Sequence, residues 1–157
     1  MDGLDVRLID LFAQEPRIGV LEASRRLGVA RGTVQARLDR LSTSGVVTGW
    51  GPELSPEALG YPVTALLTLE IRQGSASPGG HDAVAGHLAT IPEVLEAFTI
   101  TGAGDMWCRV VARSNADLQR VIDQVLAHAG IDRSTTVIAL ATQIPHRVRP
   151  LARSALS

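Results

Sequence analysis

Three polar side chains near the start of a short predicted helix could read DNA bases. Arg31, Thr33 and Gln35 lie at the N-terminal end of residues 31–43, whose apolar residues recur on one helical face. An arginine can donate to two acceptors of guanine at once, and a glutamine can pair with adenine. In a helix-turn-helix the N-terminal end of the second helix enters the major groove. We therefore expect base contacts from these three residues.

Four further arginines are placed to contact phosphates. Arg37 and Arg40 lie on the same helix, and Arg25 and Arg26 lie on the helix before it. Residues 17–40 hold six arginines against two acidic residues, which gives a local charge of +4. Phosphate contacts fix the position of a protein on DNA without reading the sequence. The alternative for each arginine is a solvated surface charge.

A pair of short helices must position these side chains. Residues 20–27 predict the first helix, and Gly28 ends it because glycine adopts the left-handed conformation at little cost. The second helix buries Val34, Leu38 and Leu41, which are spaced four and three residues apart. The same pattern occurs in ordinary helical hairpins. The short turn, the basic face and the extended segment that follows favour a winged helix-turn-helix.

Three flanking segments complete the first half of the chain. Residues 4–13 predict a further helix that precedes this pair. Residues 46–54 predict a two-stranded wing with glycines and a proline at its tip. Residues 55–60, SPEALG, predict one helical turn that Ser55 caps.

The second half alternates strand and helix patterns. Its order, strand–helix–strand–strand–helix–strand, is typical of a split βαβ or ferredoxin-like domain. The predicted strands are residues 63–71, 94–101, 106–113 and 137–142, and the predicted helices are residues 81–90 and 114–129. Residues 73–80 predict a turn-rich loop. The fold class is therefore α+β, a winged helix-turn-helix followed by a ferredoxin-like domain.

Charge is distributed unevenly along a chain whose net charge is −1. Residues 1–52 carry +1, residues 53–132 carry −6 and residues 133–157 carry +4. A basic start, an acidic middle and a basic end indicate separate roles along the chain. The predicted domains are 1–54 for DNA binding, 55–62 for a linker, 63–145 for the ferredoxin-like domain and 146–157 for a basic tail.

Several kinds of protein fit the sequence poorly. The single cysteine, Cys108, lies in an apolar run, as a buried hydrophobic residue would, rather than at a redox or catalytic site. The four histidines lack zinc-site spacing, and neither a phosphate loop nor a nucleophile elbow is present. No leader opens the chain, and no apolar run could span a bilayer. We expect a cytoplasmic protein that is not an enzyme and holds no metal or cofactor.

Four segments together resemble one family. They are LDVRLIDLF at 4–12, EASRRLGVARGTVQARLDRLSTSGVV at 22–47, SPEALGYPVTALLTLEI at 55–71 and TGAGD at 101–105. In this order and spacing they are similar to the Lrp/AsnC (feast/famine) family of bacterial and archaeal regulators. The resemblance implies operator DNA as a partner. It also implies homodimers formed through the C-terminal sheets, often stacked into higher oligomers.

The resemblance further implies an amino-acid effector, bound between dimers around the turn that corresponds to residues 101–105. Backbone N–H groups of the turn would receive the carboxylate of the effector, and Asp105 would hold its ammonium group. The effector-binding residues expected are Thr101, Gly102, Ala103, Gly104, Asp105 and Thr136. Gly104 departs from the family, which usually has an aromatic residue there, so this pocket should lose one wall and gain space. The alternative is a simple hairpin turn.

Two other functions remain open at the level of sequence. One is a DNA binder that has no effector, which Gly104 would explain. The other is a tetrapyrrole-handling enzyme of similar fold, as in some relatives of the family.

Overall fold

The computed structural model describes residues 1–72 and 80–156 and divides into two compact units. The first unit is Met1–Glu53 with Ile144–Ser157, and the second is Leu54–Gln143. In chain order the elements are α1 (Gly3–Gln14), α2 (Val20–Leu27), α3 (Arg31–Thr43), β1 (Val63–Ile71), α4 (Gly80–Leu88), β2 (Val94–Thr99), β3 (Met106–Ala112), α5 (Asn115–Leu126), β4 (Ile131–Ala139) and α6 (Arg149–Ser154). The predicted loop at 73–80 lies, apart from Gly80, outside the described residues.

The first unit is a helical cluster around one small core. Leu8, Ala23, Val34 and Leu38 are buried together, so each of α1, α2 and α3 contributes to the core. Because these side chains leave water, their burial stabilises the helix pair that the sequence predicts. Leu21 of α2 lies outside this core, and half of its surface is exposed.

The helix ends follow the local sequence closely. The Asp2 side chain accepts from the N–H groups of Leu4 and Asp5, and the Asp5 side chain accepts in return from the N–H of Asp2. This reciprocal capping box starts α1. Gly28 ends α2 in the left-handed conformation, at φ 67°, as predicted.

The predicted wing hairpin is wrong, because residues 46–54 contain no strand. The chain turns back instead through the N–H of Val47, which donates to the carbonyl of Leu41 at 3.0 Å. Further on, the Trp50 ring packs edge-on against Phe12 of α1, with ring centroids 5.5 Å apart. A lone two-stranded hairpin is marginal in water, and the two glycines and the proline of this segment weaken strand pairing further.

The segment predicted as one helical turn forms a hydrogen-bonded turn. The hydroxyl of Ser55 accepts from the N–H of Ala58 at 3.2 Å, and the N–H of Tyr61 donates to the carbonyl of Pro56 at 2.9 Å. Gly60 has φ 91°, which closes the turn before β1.

The second unit is a four-stranded antiparallel sheet in the order β2-β3-β1-β4. Alternate residues of β1 face the core, where Leu67 and Leu69 pack with Val110 of β3 and Val121 and Val125 of α5. This order and the positions of α4 and α5 in the chain confirm the predicted ferredoxin-like arrangement.

The bounds of β4 differ most from prediction, since it runs Ile131–Ala139 instead of 137–142. Its first six residues, IDRSTT, are mostly polar and give no strand signal in the sequence. They pair with β1 nevertheless, as does the rest of β4, from Ile131 opposite Ile71 to Ala139 opposite Thr64. Backbone pairing with β1 therefore overrides a weak side-chain pattern at this sheet edge.

The other face of the sheet exposes apolar side chains. Phe98 of β2 and Trp107 of β3 are register partners whose ring centroids lie 5.8 Å apart, and half of Phe98 is exposed. Val137 of β4 lies opposite Leu66 on the same face and is 59% exposed. We call this surface the open sheet face. Separately, no helix within residues 1–72 and 80–156 is long and apolar enough to cross a membrane.

Candidate nucleic-acid interface and effector loop

The N-terminal half of α3 presents the three residues predicted to contact bases. Arg31, Thr33 and Gln35 are all exposed, whereas Val34 and Leu38 are buried beneath them. Ala30 precedes the helix without capping it through a side chain. The first backbone N–H groups of α3 thus keep their partial positive charge for an anion such as phosphate. This helix end could therefore approach the DNA backbone while its side chains meet bases.

One acidic side chain lies on the same helix. The amide Nε2 of Gln35 donates to the carboxylate Oδ1 of Asp39 at 2.9 Å, one helical turn further on. Both side chains are exposed. One N–H of the Gln35 amide is therefore hydrogen-bonded to Asp39 on the outer face of α3.

The two arginines of α3 that are expected to contact phosphates, Arg37 and Arg40, pair with the carboxylates of Asp2 and Asp5. Nη1 of Arg37 donates to Asp2 at 2.6 Å and to Asp5 at 2.9 Å. Nη2 of Arg40 donates to both oxygens of Asp5, at 2.8 and 2.7 Å. Arg37 is only 24% exposed, whereas Arg40 is 57% exposed and keeps part of its guanidinium accessible. A phosphate contact by Arg37 would require it to leave Asp2.

These contacts keep both carboxylates ionised. The hydrogen bond from Arg37 is the main reason that the pKa of Asp2 falls to about 2. Burial raises the pKa of Asp5, but hydrogen bonds from the Asp2 backbone and from Arg37 outweigh it, so the pKa of Asp5 is also lowered. The side chain of Asp5 is fully buried, and its charge is therefore sustained by its partners.

Sequence reasoning missed Asp2 and Asp5. Their spacing, an acid three residues after a capping acid and before an apolar run, was a visible helix-start signal. Their pairing with α3, across more than 30 residues of sequence, had no local signal.

The two arginines on α2 are also close to acidic groups. Arg26 forms an ion pair with Glu15, and its Nε donates to Glu22 at 3.2 Å. Arg25 lies 3.8 Å from Glu22 and remains largely exposed. Arg25 thus needs less rearrangement than Arg26 to reach a phosphate.

The turn between β2 and β3 is anchored on the neighbouring strand β1. The N–H of Asp105 donates to the carbonyl of Leu69 at 2.9 Å, and its carboxylate Oδ2 accepts from the N–H of Ile71 at 2.8 Å. Gly102 and Gly104 have φ of 99° and 91°. The structure therefore brings residues 101–105 together as one ordered turn. One carboxylate oxygen of Asp105 is occupied there by the hydrogen bond from the backbone N–H of Ile71.

The space expected beside Gly104 is not there. A Cβ built on Gly104 would overlap Cγ2 of Thr68 and lie 3.2 Å from the carbonyl oxygen of Leu69. Glycine at this position lets the turn pass directly over β1. The expectation that the missing aromatic side chain leaves a roomier pocket is wrong for this turn.

Thr136 lies apart from this turn within one chain. It is on β4 and pairs with Leu67 of β1, whereas the turn continues into β3 on the other side of β1. Thr101, Gly102 and Ala103 are exposed at the tip. Of the predicted effector residues, the structure thus gathers residues 101–105 and leaves Thr136 across the intervening strand.

Two family models match the chain. The AsnC-type helix-turn-helix domain matches residues 1–42, and the Lrp/AsnC ligand binding domain matches residues 64–148. Among curated proteins, the chain is 29% identical over 140 residues to the HTH-type transcriptional regulator FL11 of Pyrococcus furiosus, covering 89% of each chain. It is 26% identical over 151 residues to the regulatory protein AsnC of Escherichia coli, covering 96% of this chain and 97% of that protein.

Solved structures of related regulators have the same fold as this chain. Escherichia coli AsnC superposes with a TM-score of 0.85 at 25% identity, covering 96% of this chain and 99% of that chain. The leucine response regulatory protein LrpA of Mycobacterium tuberculosis superposes with a TM-score of 0.75 at 26% identity, covering 94% and 98%. With a DNA-binding helix-turn-helix and a ligand-binding domain that both match, this chain belongs to the Lrp/AsnC family of transcriptional regulators.

Proposed function

We propose that this regulator binds operator DNA through α3, with Arg31, Thr33 and Gln35 contacting base edges. The observation that carries the proposal is their common exposure above the buried stripe of α3. The phosphate contacts come from Arg25, Arg26, Arg37 and Arg40. Of these, Arg25 and Arg40 have the most accessible guanidinium groups. Counterion release from these contacts makes the affinity fall as salt rises.

A symmetric dimer forms through the open sheet face. Phe98 and Val137 are more than half exposed there, and Trp107 lies opposite Phe98 in the register of β2 and β3. Apolar side chains gathered on one sheet face favour a second copy over water. A two-fold dimer would read a palindromic operator whose half-sites lie whole helical turns apart. Higher oligomers built from such dimers remain part of the proposal.

The effector is a small amino acid that binds at residues 101–105. The exposed tip offers backbone N–H groups to its carboxylate, and the second carboxylate oxygen of Asp105 can accept from its ammonium group. A relative at 26% identity is named a leucine response regulatory protein, which supports an amino acid as the class of ligand. The full effector set of the proposal is Thr101, Gly102, Ala103, Gly104, Asp105 and Thr136.

One observation favours a second function, a DNA binder without an effector. The turn passes over β1 so closely that Thr68 fills the place beside Gly104, and one Asp105 oxygen is committed to Ile71. A ligand at this turn would have only the exposed tip and the remaining Asp105 oxygen. Asp105→Ala distinguishes the two functions, since it abolishes a response that depends on this carboxylate and leaves DNA binding in place.

A mobility-shift titration on the DNA upstream of the protein's own gene tests the proposal. It is run with and without each of the twenty amino acids, and with random DNA as competitor. Shifts that resist the competitor and change with one amino acid would support both parts. Shifts indifferent to every amino acid would leave the effector-free binder. Folded protein that shifts no DNA would contradict the regulator function.

A matched variant separates base contacts from phosphate contacts. Arg31→Ala should cost about 1–3 kcal/mol on the operator and relax base preference at one position of each half-site. Arg40→Ala should weaken binding to operator and random DNA alike. An equal loss on both DNAs for Arg31→Ala would make Arg31 a phosphate contact.

A further inference from the structure

Asp39 is the one acidic residue of α3, the helix that the proposed function places in the major groove. It is exposed and lies on the same outer face as Gln35, one turn away. A carboxylate on such a helix approaches rows of phosphates, which repel it. An acid at this position therefore costs affinity unless it makes a favourable contact in the groove.

The neighbouring arginines do not neutralise this carboxylate. Arg37 and Arg40 lie close to Asp39 in sequence, yet they pair with Asp2, the cap of α1, and with Asp5 of α1. In the described part of the chain Asp39 takes part in no ion pair, and its side-chain partner is the neutral amide of Gln35. The negative charge is thus left on the outer face of α3, beside a side chain already placed to read bases.

We propose that Asp39 is a specificity-determining residue that works with Gln35 to select a base carrying an amino group. This inference rests on the proposed function. The carboxylate Oδ1 holds the Gln35 amide, and Oδ2 accepts from N4 of cytosine or N6 of adenine. Guanine and thymine offer mainly acceptors in the major groove, so the carboxylate repels them. This repulsion makes the protein more selective among bases, and it lowers the overall affinity of the protein for DNA.

The orientation of Gln35 is the second part of the proposal. With one N–H of its amide directed to Asp39 at 2.9 Å, the other N–H and the carbonyl oxygen remain for a base. An amide fixed in this way loses less conformational freedom when it binds than an unrestrained one. The two residues should therefore act as one unit in choosing adjacent bases.

Selection of binding sites from a random DNA pool tests this inference, with the full-length protein and two variants. Asp39→Asn keeps an acceptor for the Gln35 amide and removes the charge, while Asp39→Ala removes both. We expect Asp39→Asn to lose about tenfold discrimination at one position of each half-site, where the wild type requires an amino base. Asp39→Ala should also relax the adjacent position, which Gln35 reads. Both variants should bind random DNA slightly more tightly.

The chain contains a matched control for removing this charge. Gln119 and Asp123 on α5 have the same spacing and the same hydrogen bond, at 2.8 Å, in the second unit. Asp123→Asn should leave the selected sequence and the affinity unchanged. Thermal unfolding of each variant checks that it is folded, which is expected because both aspartates are exposed.

Two results would overturn the inference and can be told from failure of the proposed function. If Asp39→Asn and Asp39→Ala bind every DNA more tightly with an unchanged selected sequence, Asp39 only repels phosphate. If Gln35→Ala and Asp39→Ala relax different positions additively in the double variant, the two residues do not act as a unit. Failure of the proposed function is a different result, in which the wild type enriches no sequence at all.

Discussion

Asp5 on α1 accepts hydrogen bonds from Arg40 on α3 with both carboxylate oxygens, at 2.8 and 2.7 Å, while its own side chain is fully buried. The same carboxylate caps the start of α1 by accepting from the N–H of Asp2. One buried charge therefore fixes the start of α1 and the packing of α1 against α3. Asp5 therefore also positions Arg40, which is one of the proposed phosphate contacts.

We predict that Asp5→Ala lowers the free energy of unfolding of the first unit by about 2–4 kcal/mol. The substitution leaves two arginines without a shared partner and removes the half of the capping box that Asp5 supplies. Urea unfolding followed by Trp50 fluorescence measures this, in a background where Trp107 of the second unit is replaced by Phe.

Asp10→Ala is the matched control for this prediction, because Asp10 lies on the same helix but pairs with a largely exposed arginine. It should cost much less than Asp5→Ala. Equal effects of the two substitutions would show that Asp5 contributes no more than a surface ion pair.

The first unit should lose stability in acid. The pKa of Asp2 is lowered from 3.8 to about 2, and that of Asp5 is lowered as well. Because the unfolded chain binds these protons first, their stabilising contribution is complete above about pH 4 and is lost as the pH falls through about 2. Urea midpoints measured from pH 6 to pH 2 should fall over that window. The double variant Asp2→Asn, Asp5→Asn should show a flatter profile; an equally steep fall would assign the acid effect to other carboxylates.

A feature of the fold or of the candidate site could be predicted from the sequence where neighbouring residues determine it. The buried stripe of α3 and the glycine that ends α2 are set by neighbouring residues, and the structure confirms both. What the sequence does not show depends on distant partners. The polar start of β4 is a strand because β1 pairs with it, and Arg37 and Arg40 pair with Asp5, which lies more than 30 residues away in the chain.

The turn at residues 101–105 depends on a distant partner in the same way. Its glycines and aspartate were found from sequence, as was their place between two strands. What could not be seen was the closeness of β1, which places Thr68 beside Gly104 and the N–H of Ile71 on Asp105. The positive φ of Gly104 fits a turn, whereas the close contact depends on a strand 34 residues from Asp105.

Gly104→Ala should destabilise the second unit more than Gly102→Ala. Both glycines have positive φ, so either alanine pays about 1–2 kcal/mol of backbone strain. Only the Gly104 variant also overlaps Thr68 and the backbone of β1. Urea unfolding followed by Trp107 fluorescence, with Trp50 replaced by Phe, compares the two variants.

Thr68→Ser separates the two causes at Gly104, because it removes the Cγ2 methyl group that the new Cβ would meet. Combined with Gly104→Ala, it should recover part of the lost stability, while it should not improve Gly102→Ala. No recovery in the combined variant would assign the whole loss to φ and to the contact with Leu69.

The C-terminal segment should stabilise the helical first unit, although the sequence predicted only a basic tail. Helix α6 packs on α1, where Nε and Nη2 of Arg153 both donate to Asp10, at 3.3 and 2.9 Å. Arg153→Ala should cost less than about 1 kcal/mol, because Arg153 is 68% exposed. Ending the chain after Gln143 should cost more, because it also removes the packing of α6. The exchanged pair Asp10→Arg, Arg153→Asp should restore the stability that Arg153→Ala loses. An unchanged urea midpoint for the shortened chain, read from Trp50, would mean that α6 rests on α1 without stabilising it.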